Sequence, residues 1–387
     1  MGWLARHDLN INPLATDRTT VESYDDAGGL VQEASASVLA IDHSVGAARI
    51  LAQPERENLL LNSPDLSSWL IGAGSVITAD QYTSPDGVAL SADQLDLDVF
   101  ASSSRITQAV TTTISTNYAY SQYLFTVVDG QTLELEAQNW LDTGLIALTD
   151  SWVRYVYTGV ADESYTVARV IKRAGTADII GVWGSQIEAG KYATSLIRSG
   201  ASPTTRTATE PYFDNTSAWM QDDFVLVLPF QSPAAAADFA ETLADLDNGS
   251  ALITADATNF SFTDGVNTAS VAHSGVWAVD TDVSVIVAAI GSSMAIGITQ
   301  AGGTITWSTT ATYAAPTWHT QLKLATTQAA PYYIGRHVGI YDGAEFATLG
   351  DAQTWAQNQE TAGWPAPATS RKYSRRQLLG THARRRI

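Results

Sequence analysis

The apolar residues of this chain fall in short runs of Val, Ile, Thr and Tyr, separated by clusters of Gly, Asp and Ser. Between residues 58 and 206, SQYLFTVVDG, QTLELEAQNW, DSWVRYVYTGV, SYTVARVIKR and DIIGVWGSQIE read as closely spaced strands, the pattern of a sandwich or barrel. In the third run, Trp152, Arg154 and Tyr157 punctuate an amphipathic pattern expected of a half-buried antiparallel strand. A second β region begins at Asp223. There DDFVLVLPF alternates cleanly, and NFSFTDGVNTASV reads as a hairpin over Asp264-Gly265. VSVIVAAIG, MAIGITQAGGTITW and YYIGRHVGIYDG supply further strands. Two segments predict helix: 234–246 (AAAADFAETLADL) and 348–359, with Asp351 as a cap and Gly363 and Pro365 beyond.

Residues 1–57 lack sustained periodicity and read as an extended arm with short strands. A turn cluster from Asp25 to Gly29 separates two β-type stretches. The segment is either a linker with a hairpin or an arm that docks on a neighbouring subunit or capsid partner. Pro203, Pro211 and weak patterning mark 207–222 as a connector. The expected class is all-β: two antiparallel β-sandwich (jelly-roll) domains at 58–206 and 223–360, an extended N-terminal arm, and a basic C-terminal tail at 361–387.

The charge distribution sharpens this picture. Of the 387 residues, 40 are acidic and 21 basic, a formal net charge of -19. Such a surface repels nucleic acid and anionic membranes, so no nucleic acid is expected as a partner. The last 18 residues, SRKYSRRQLLGTHARRRI, invert the sign. They carry Arg371, Lys372, Arg375, Arg376, Arg384, Arg385 and Arg386 and no acid, which leaves a body of -26. Tyr373 and Leu378-Leu379 add apolar anchors, so the tail reads as a contact to protein. Cysteine is absent, which excludes disulfides and thiol chemistry. No apolar run approaches the length of a membrane span, and MGWLARHDLN has no signal-like apolar region.

Two stretches bracket the first domain: NLLLNSPDLSSW from Asn58 to Trp69, and VWGSQIEAGKYATSLIR from Val182 to Arg198. With the turn from Tyr24 to Gly28, Asp42-His43, Arg56 to Leu60, Trp183 to Glu188 and Ala193 to Ile197, they resemble bacteriophage head-spike and tail-fibre proteins. The second half more loosely resembles concanavalin A-like, laminin G-type jelly rolls, through Tyr333 to Gly335 and Gly339 to Asp342. The resemblance implies a non-enzymatic virion protein, such as a head-spike, fibre or baseplate-associated subunit. It would assemble in the host cytoplasm by oligomerisation, contacting other virion proteins and a host-surface glycan or partner protein. The exposed strand edges expected of the 1–57 arm invite pairing, so a homo-oligomer, a trimer by preference, is expected, with the arm in intersubunit or anchoring contacts. The alternatives are a polysaccharide depolymerase tail spike and a bacterial carbohydrate-binding adhesin module.

Hydrolysis of a glycosidic bond needs two carboxylates flanking it. The second half lacks the Glu-x-Asp-x-x-Glu run of concanavalin-like hydrolases. Glu134 and Glu136 share a strand face in the other domain and read as a solvated face. The six His form no HxH or HExxH pair. No cofactor is expected, although Asp245, Asp247 and Asn248 loosely resemble a calcium loop, and Asp93, Asp96 and Asp98 form a second acidic cluster. Among the 11 Trp, Trp152 and Trp183 sit inside strand runs and read as core. Trp69, Trp140, Trp277, Trp307 and Trp318 lie nearer strand ends. They are the candidates for a sugar-stacking platform, with core or interface packing as the competing role.

Overall fold

The computed structural model describes residues 3–6, 15–16, 18–42, 49–72, 74–97, 104–214, 222–232, 241–247, 249–273, 280–300, 303–316, 321–327, 332–334 and 338–362. They build an all-β molecule whose paired strands run antiparallel, with an α-helix at Leu349–Ala362.

In the first sandwich, one sheet has the spatial order Val153–Val160, Asn117–Thr126, Ile179–Ala189, Ala92–Leu97, Ser75–Tyr82. The facing sheet runs Leu141–Asp142, Thr132–Ala137, Tyr165–Lys172, Ser104–Thr111, Leu70–Ile71. Successive side chains on a strand point to opposite faces. The inward set, including Leu95, Ile106, Leu124, Leu135, Val170 and Val182, closes into one core. Each such side chain contributes about 1.5–3 kcal/mol through burial. The outward face of the central strands is covered too, because Tyr123 and Trp183 pack with Leu196 and Val31. The register shifts between Ser121 and Tyr123, near Gly184 at φ +62°. A Cβ there would lie 2.9 Å from the Tyr123 ring, so this bulge requires glycine.

The second sandwich faces a ten-stranded sheet against a seven-stranded one. Phe224–Gln231 and Val283–Ile290 turn Leu226, Leu228, Val285 and Val287 into the core between the sheets. Their other face, including Val225, Val227, Ile286 and Ala288, packs with Leu349, Ala352 and Ala356 of the helix. Burial on both faces explains why VSVIVAAI is apolar without alternation. The helix cap differs from expectation. Thr348 is the N-cap, and its hydroxyl accepts the Asp351 N–H at 3.2 Å while Asp351 accepts the Thr348 N–H at 3.0 Å. Within 234–246, Glu241–Asp245 is a strand, not helix. It pairs with Leu252–Ala255 and Gln321–Thr327, and two hydrogen-bonded neighbours override the local propensity. The rest of that segment, 234–240, lies outside the described residues.

The segment read as an arm is woven into this second sandwich. Trp3–Arg6 pairs with Gly339–Asp342, and Ala15–Thr16 with Pro211–Asp214. Arg49–Ala52 pairs with Tyr332–Ile334 and with Ile41–Asp42. Backbone groups of these strands find partners within the chain, which removes the need for a neighbour's sheet edge. The segment read as a connector behaves likewise: Pro211–Asp214 sits between Ala15–Thr16 and Gln321–Thr327. Glu22–Asp25 and Val31–Ala34 form the expected hairpin.

A buried polar network fastens this hairpin to the first sandwich. The Asn58 amide donates to the carbonyls of Ser185 (3.0 Å) and Ile197 (2.8 Å), joining the opening and closing segments of the domain. Glu188 accepts the Thr194 N–H at 2.7 Å and its hydroxyl at 2.8 Å. Gln53 donates to Glu22 at 2.8 Å and accepts the Ser195 N–H at 2.6 Å. Glu22 is paired with Arg18 and accepts the Thr209 hydroxyl at 2.7 Å. Arg206 donates to the Pro54 carbonyl at 3.0 Å. Burial lowers the pKa of both Arg18 and Arg206, opposed by the charge of Glu22.

Candidate functional site

Between the hairpin and the outer face of the five-stranded sheet lies a cleft of about 680 Å³, within the usual size range of ligand pockets. Several segments meet there, among them Leu51, Gln53 and the loop from Thr83 to Gly87. The hairpin brings Tyr24, Asp25 and Leu30, and the strand Ile41–Asp42 brings Asp42. The sheet supplies Tyr123, Arg154 and Val156, with Trp152 just before its edge strand, and the closing segment supplies Thr194 to Leu196. The hairpin is held over the sheet by the Val31 N–H, which donates to the Pro85 carbonyl at 3.0 Å.

The aromatic wall is fixed. The Trp152 indole N–H donates to the Thr83 carbonyl at 2.8 Å, and its ring meets Phe125 edge-on, centroids 4.6 Å apart. Tyr123 packs on Trp183 at 5.5 Å. Arg154 lies over the Tyr123 ring at 5.7 Å, donating to the Thr194 carbonyl (2.7 Å) and the Ser121 hydroxyl (2.8 Å). Burial pushes the Tyr123 phenol up to about 12, so it stays protonated. Asp42 accepts the Asp25 backbone N–H at 3.0 Å. The Asp25 carboxyl is raised above its ordinary value by burial and by the charge of Asp42, with Arg154 acting in the opposite direction. Chemically this is a pocket with aromatic faces for stacking, carboxylates that accept hydrogen bonds, and a pinned guanidinium.

The sugar-stacking candidates fall elsewhere. Trp69 is 3% exposed in the first core, and Trp140 packs at the edge of that core beside Tyr118. Trp307 is partly buried against the core beneath the helix. Trp277 and Trp318 lie outside the described residues, as do Asn248, Asp98 and the basic residues Arg371, Lys372, Arg375, Arg376, Arg384, Arg385 and Arg386. Trp152, read as core, packs partly buried against the cluster of Tyr123, Trp183 and Leu196 and lines the cleft as well. The signal available in sequence was its position at the end of a run, with Ser151 before it. Tyr24, Asp25 and Asp42 belonged to the resemblance motifs but were not read as site residues, because their convergence depends on long-range pairing.

Neither acidic cluster forms a calcium loop among its described members. Asp245 accepts the N–H groups of Asp247 (3.1 Å) and Gly249 (2.9 Å), which spends one carboxylate oxygen on a turn. Asp93 is buried and accepts the N–H groups of Leu66 (2.8 Å) and Asp80 (3.2 Å). Glu134 and Glu136 are not a solvated face either. Arg173 pairs with Glu134 at 2.7 Å and also with Glu136, while Arg169 pairs with Glu136 at 2.9 Å.

No family model and no curated protein matches the chain. Among solved structures, it is similar to the LG1-3 region of the laminin alpha2 chain, at 8% identity and a TM-score of 0.25, over 61% of this chain and 67% of that one. It is also similar to domains LG4-5 of the mouse laminin alpha1 chain, at 8% identity and a TM-score of 0.21, over 71% of this chain and 97% of that one.

Proposed function

We propose that this chain is a non-enzymatic structural subunit of a phage virion, a head-spike, fibre or baseplate-associated protein, that presents a binding cleft to a host glycan. The observation that carries the binding role is the cleft itself. Trp152 lines it with a partly exposed ring that can stack on the C–H side of a sugar, and the partly exposed Asp25 carboxyl lines it as an acceptor for sugar hydroxyls. The virion assignment rests on the resemblance motifs, several of whose residues build the polar network that holds the cleft's cover in place. Assembly as a homo-oligomer keeps only the resemblance behind it, because the described arm strands, whose edges were expected to seek a neighbour, are paired within the chain. The depolymerase alternative loses its acid pair, since Glu134 and Glu136 are engaged by arginines. A glycan array probed with the intact protein and with Trp152→Ala tests the reading. Binding by the intact protein that the variant loses supports it; an array with no signal for the assembled protein removes the receptor-binding role.

A further inference from the structure

A strand edge of the first sandwich, distinct from the arm, bears on how copies of this chain meet, and so rests on the homo-oligomer of the proposed function. Val153–Val160 is the last strand of its five-stranded sheet and pairs on one side, with Asn117–Thr126. The Ala161 N–H donates to the Thr116 carbonyl at 2.9 Å, and the Gly190 N–H to the Asn117 carbonyl at 2.8 Å. Backbone groups alternate in direction along an antiparallel strand. Tyr155, Tyr157 and Gly159 therefore turn theirs towards Asn117–Thr126, while Arg154, Val156, Thr158 and Val160 turn theirs outward. Among the described residues, no strand and no loop backbone group pairs with that outer side. The strand also lacks the devices that blunt an edge. It carries no Lys, Pro or acid, and its register with Asn117–Thr126 runs without a bulge. Its one charge, Arg154, is turned over the sheet to Thr194 and Ser121. Val156 and Val160 are 43% and 52% exposed. The opposite edge is blunted: Ser75–Tyr82 carries Asp80 at φ +57° and a register shift between Ala92 and Gln94 of its neighbour.

We infer that Val153–Val160 pairs antiparallel with the same strand of a second copy, about a twofold axis at Tyr157. That register alone gives every outward residue of the strand an outward partner. Arg154 falls opposite Val160 of the copy and Val156 opposite Thr158, and each such pair exchanges two hydrogen bonds. No like charges stand opposite one another. The flanking acids Asp150 and Asp162 fall opposite Ser164 and Trp152. A twofold contact uses the same surface on both copies, so the assembly it builds is a dimer, where the sequence favoured a trimer. Directly paired residues share a face of the sheet. The two five-stranded sheets thus become one, and both clefts open on the same side of it, because Val156 lines the cleft.

The test is sedimentation and light scattering of the full chain across the micromolar range, where a dimer should appear. Thr158→Pro removes an outward N–H and spares the bonds to Asn117–Thr126. Val160→Lys sets a cation opposite Arg154 of the copy. Each should weaken the dimer at least about tenfold, with an unchanged circular dichroism spectrum showing that the fold is kept. A disulfide reads the register directly, because the chain has no cysteine of its own. On oxidation, Val156→Cys mixed with Thr158→Cys should give a cross-linked pair holding one of each. Neither variant should cross-link to itself, since equal positions sit on the diagonal, beyond disulfide reach. A trimer, an oligomer untouched by both substitutions, or a mixture that does not cross-link overturns this interface and leaves the homo-oligomer reading standing. A monomer at every concentration overturns both.

Discussion

The Asp42 side chain accepts the backbone N–H of Asp25 at 3.0 Å, joining the strand Ile41–Asp42 to the end of the hairpin strand Glu22–Asp25. This bond ties the hairpin to the second sandwich, as the Val31 N–H to Pro85 carbonyl bond ties it to the first, and both aspartates line the cleft.

Burial of the Asp25 carboxyl, with the charge of Asp42 adding to it, has a consequence for stability. The folded-state pKa of Asp25 lies above its unfolded value, so folding takes up a proton between the two. Its contribution is least unfavourable below the unfolded value, near 3.9, and becomes unfavourable as pH rises through the raised one. Asp25→Asn should therefore stabilise the chain at neutral pH and have little effect in acid. Thermal midpoints of both proteins across that range check the sign, and a variant destabilised at neutral pH contradicts it.

The polar network predicts a large local cost. Glu22 and Arg18 are both fully buried, so Glu22→Ala strands a guanidinium in the interior and removes acceptors from Gln53 and Thr209. The loss should be about 3–5 kcal/mol. Urea denaturation measures it, and a loss below about 1 kcal/mol would place the stabilising weight elsewhere.

Glu136 should matter for stability and not for chemistry. Glu136→Gln weakens its pairs with Arg169 and Arg173 and should cost on the order of 1 kcal/mol, since Arg173 is partly exposed. Host capsular polysaccharide incubated with the intact protein should yield no new reducing ends. Reducing ends that vanish in the variant would restore the depolymerase reading.

Much of the first sandwich was legible in sequence because its strands carry their own alternation and turn signals, although several pair with remote partners, as Asp93 does with Val182. The run from Tyr165 to Lys172, for example, alternates plainly, whereas its position between Thr132–Ala137 and Ser104–Thr111 could not be read from it. The arm was not legible, because its partners are remote. Trp3 meets Tyr341, and Ile50 meets Ile334, and no local pattern encodes a pairing with so remote a partner. The same limit hid the cleft. Glu134 and Glu136 were misread as solvated because period-two alternation gives a face but not the arginines opposite it. Trp69 was open to either role in sequence, since a strand-end position does not distinguish a core ring from an exposed one. The opening and closing motifs were visible as a signature, but their role as buried hydrogen-bond partners emerged only when Asn58 met Ser185 and Ile197.

The basic tail carries a separate prediction. Its seven cations follow a body of -26, and Tyr373 with Leu378-Leu379 suits a protein surface better than nucleic acid. Deleting residues 370–387 should reduce incorporation into particles while leaving the thermal transition of the sandwiches unchanged. Normal incorporation of the truncated chain would exclude an anchoring role.

The most direct test of the binding role is a structure of the chain with the oligosaccharide that gives the strongest array signal. A sugar ring should lie under the hairpin, stacked on Trp152, with a hydroxyl on Asp25. A sugar seated instead at Trp307, Trp277 or Trp318, with the cleft left empty, would contradict the account.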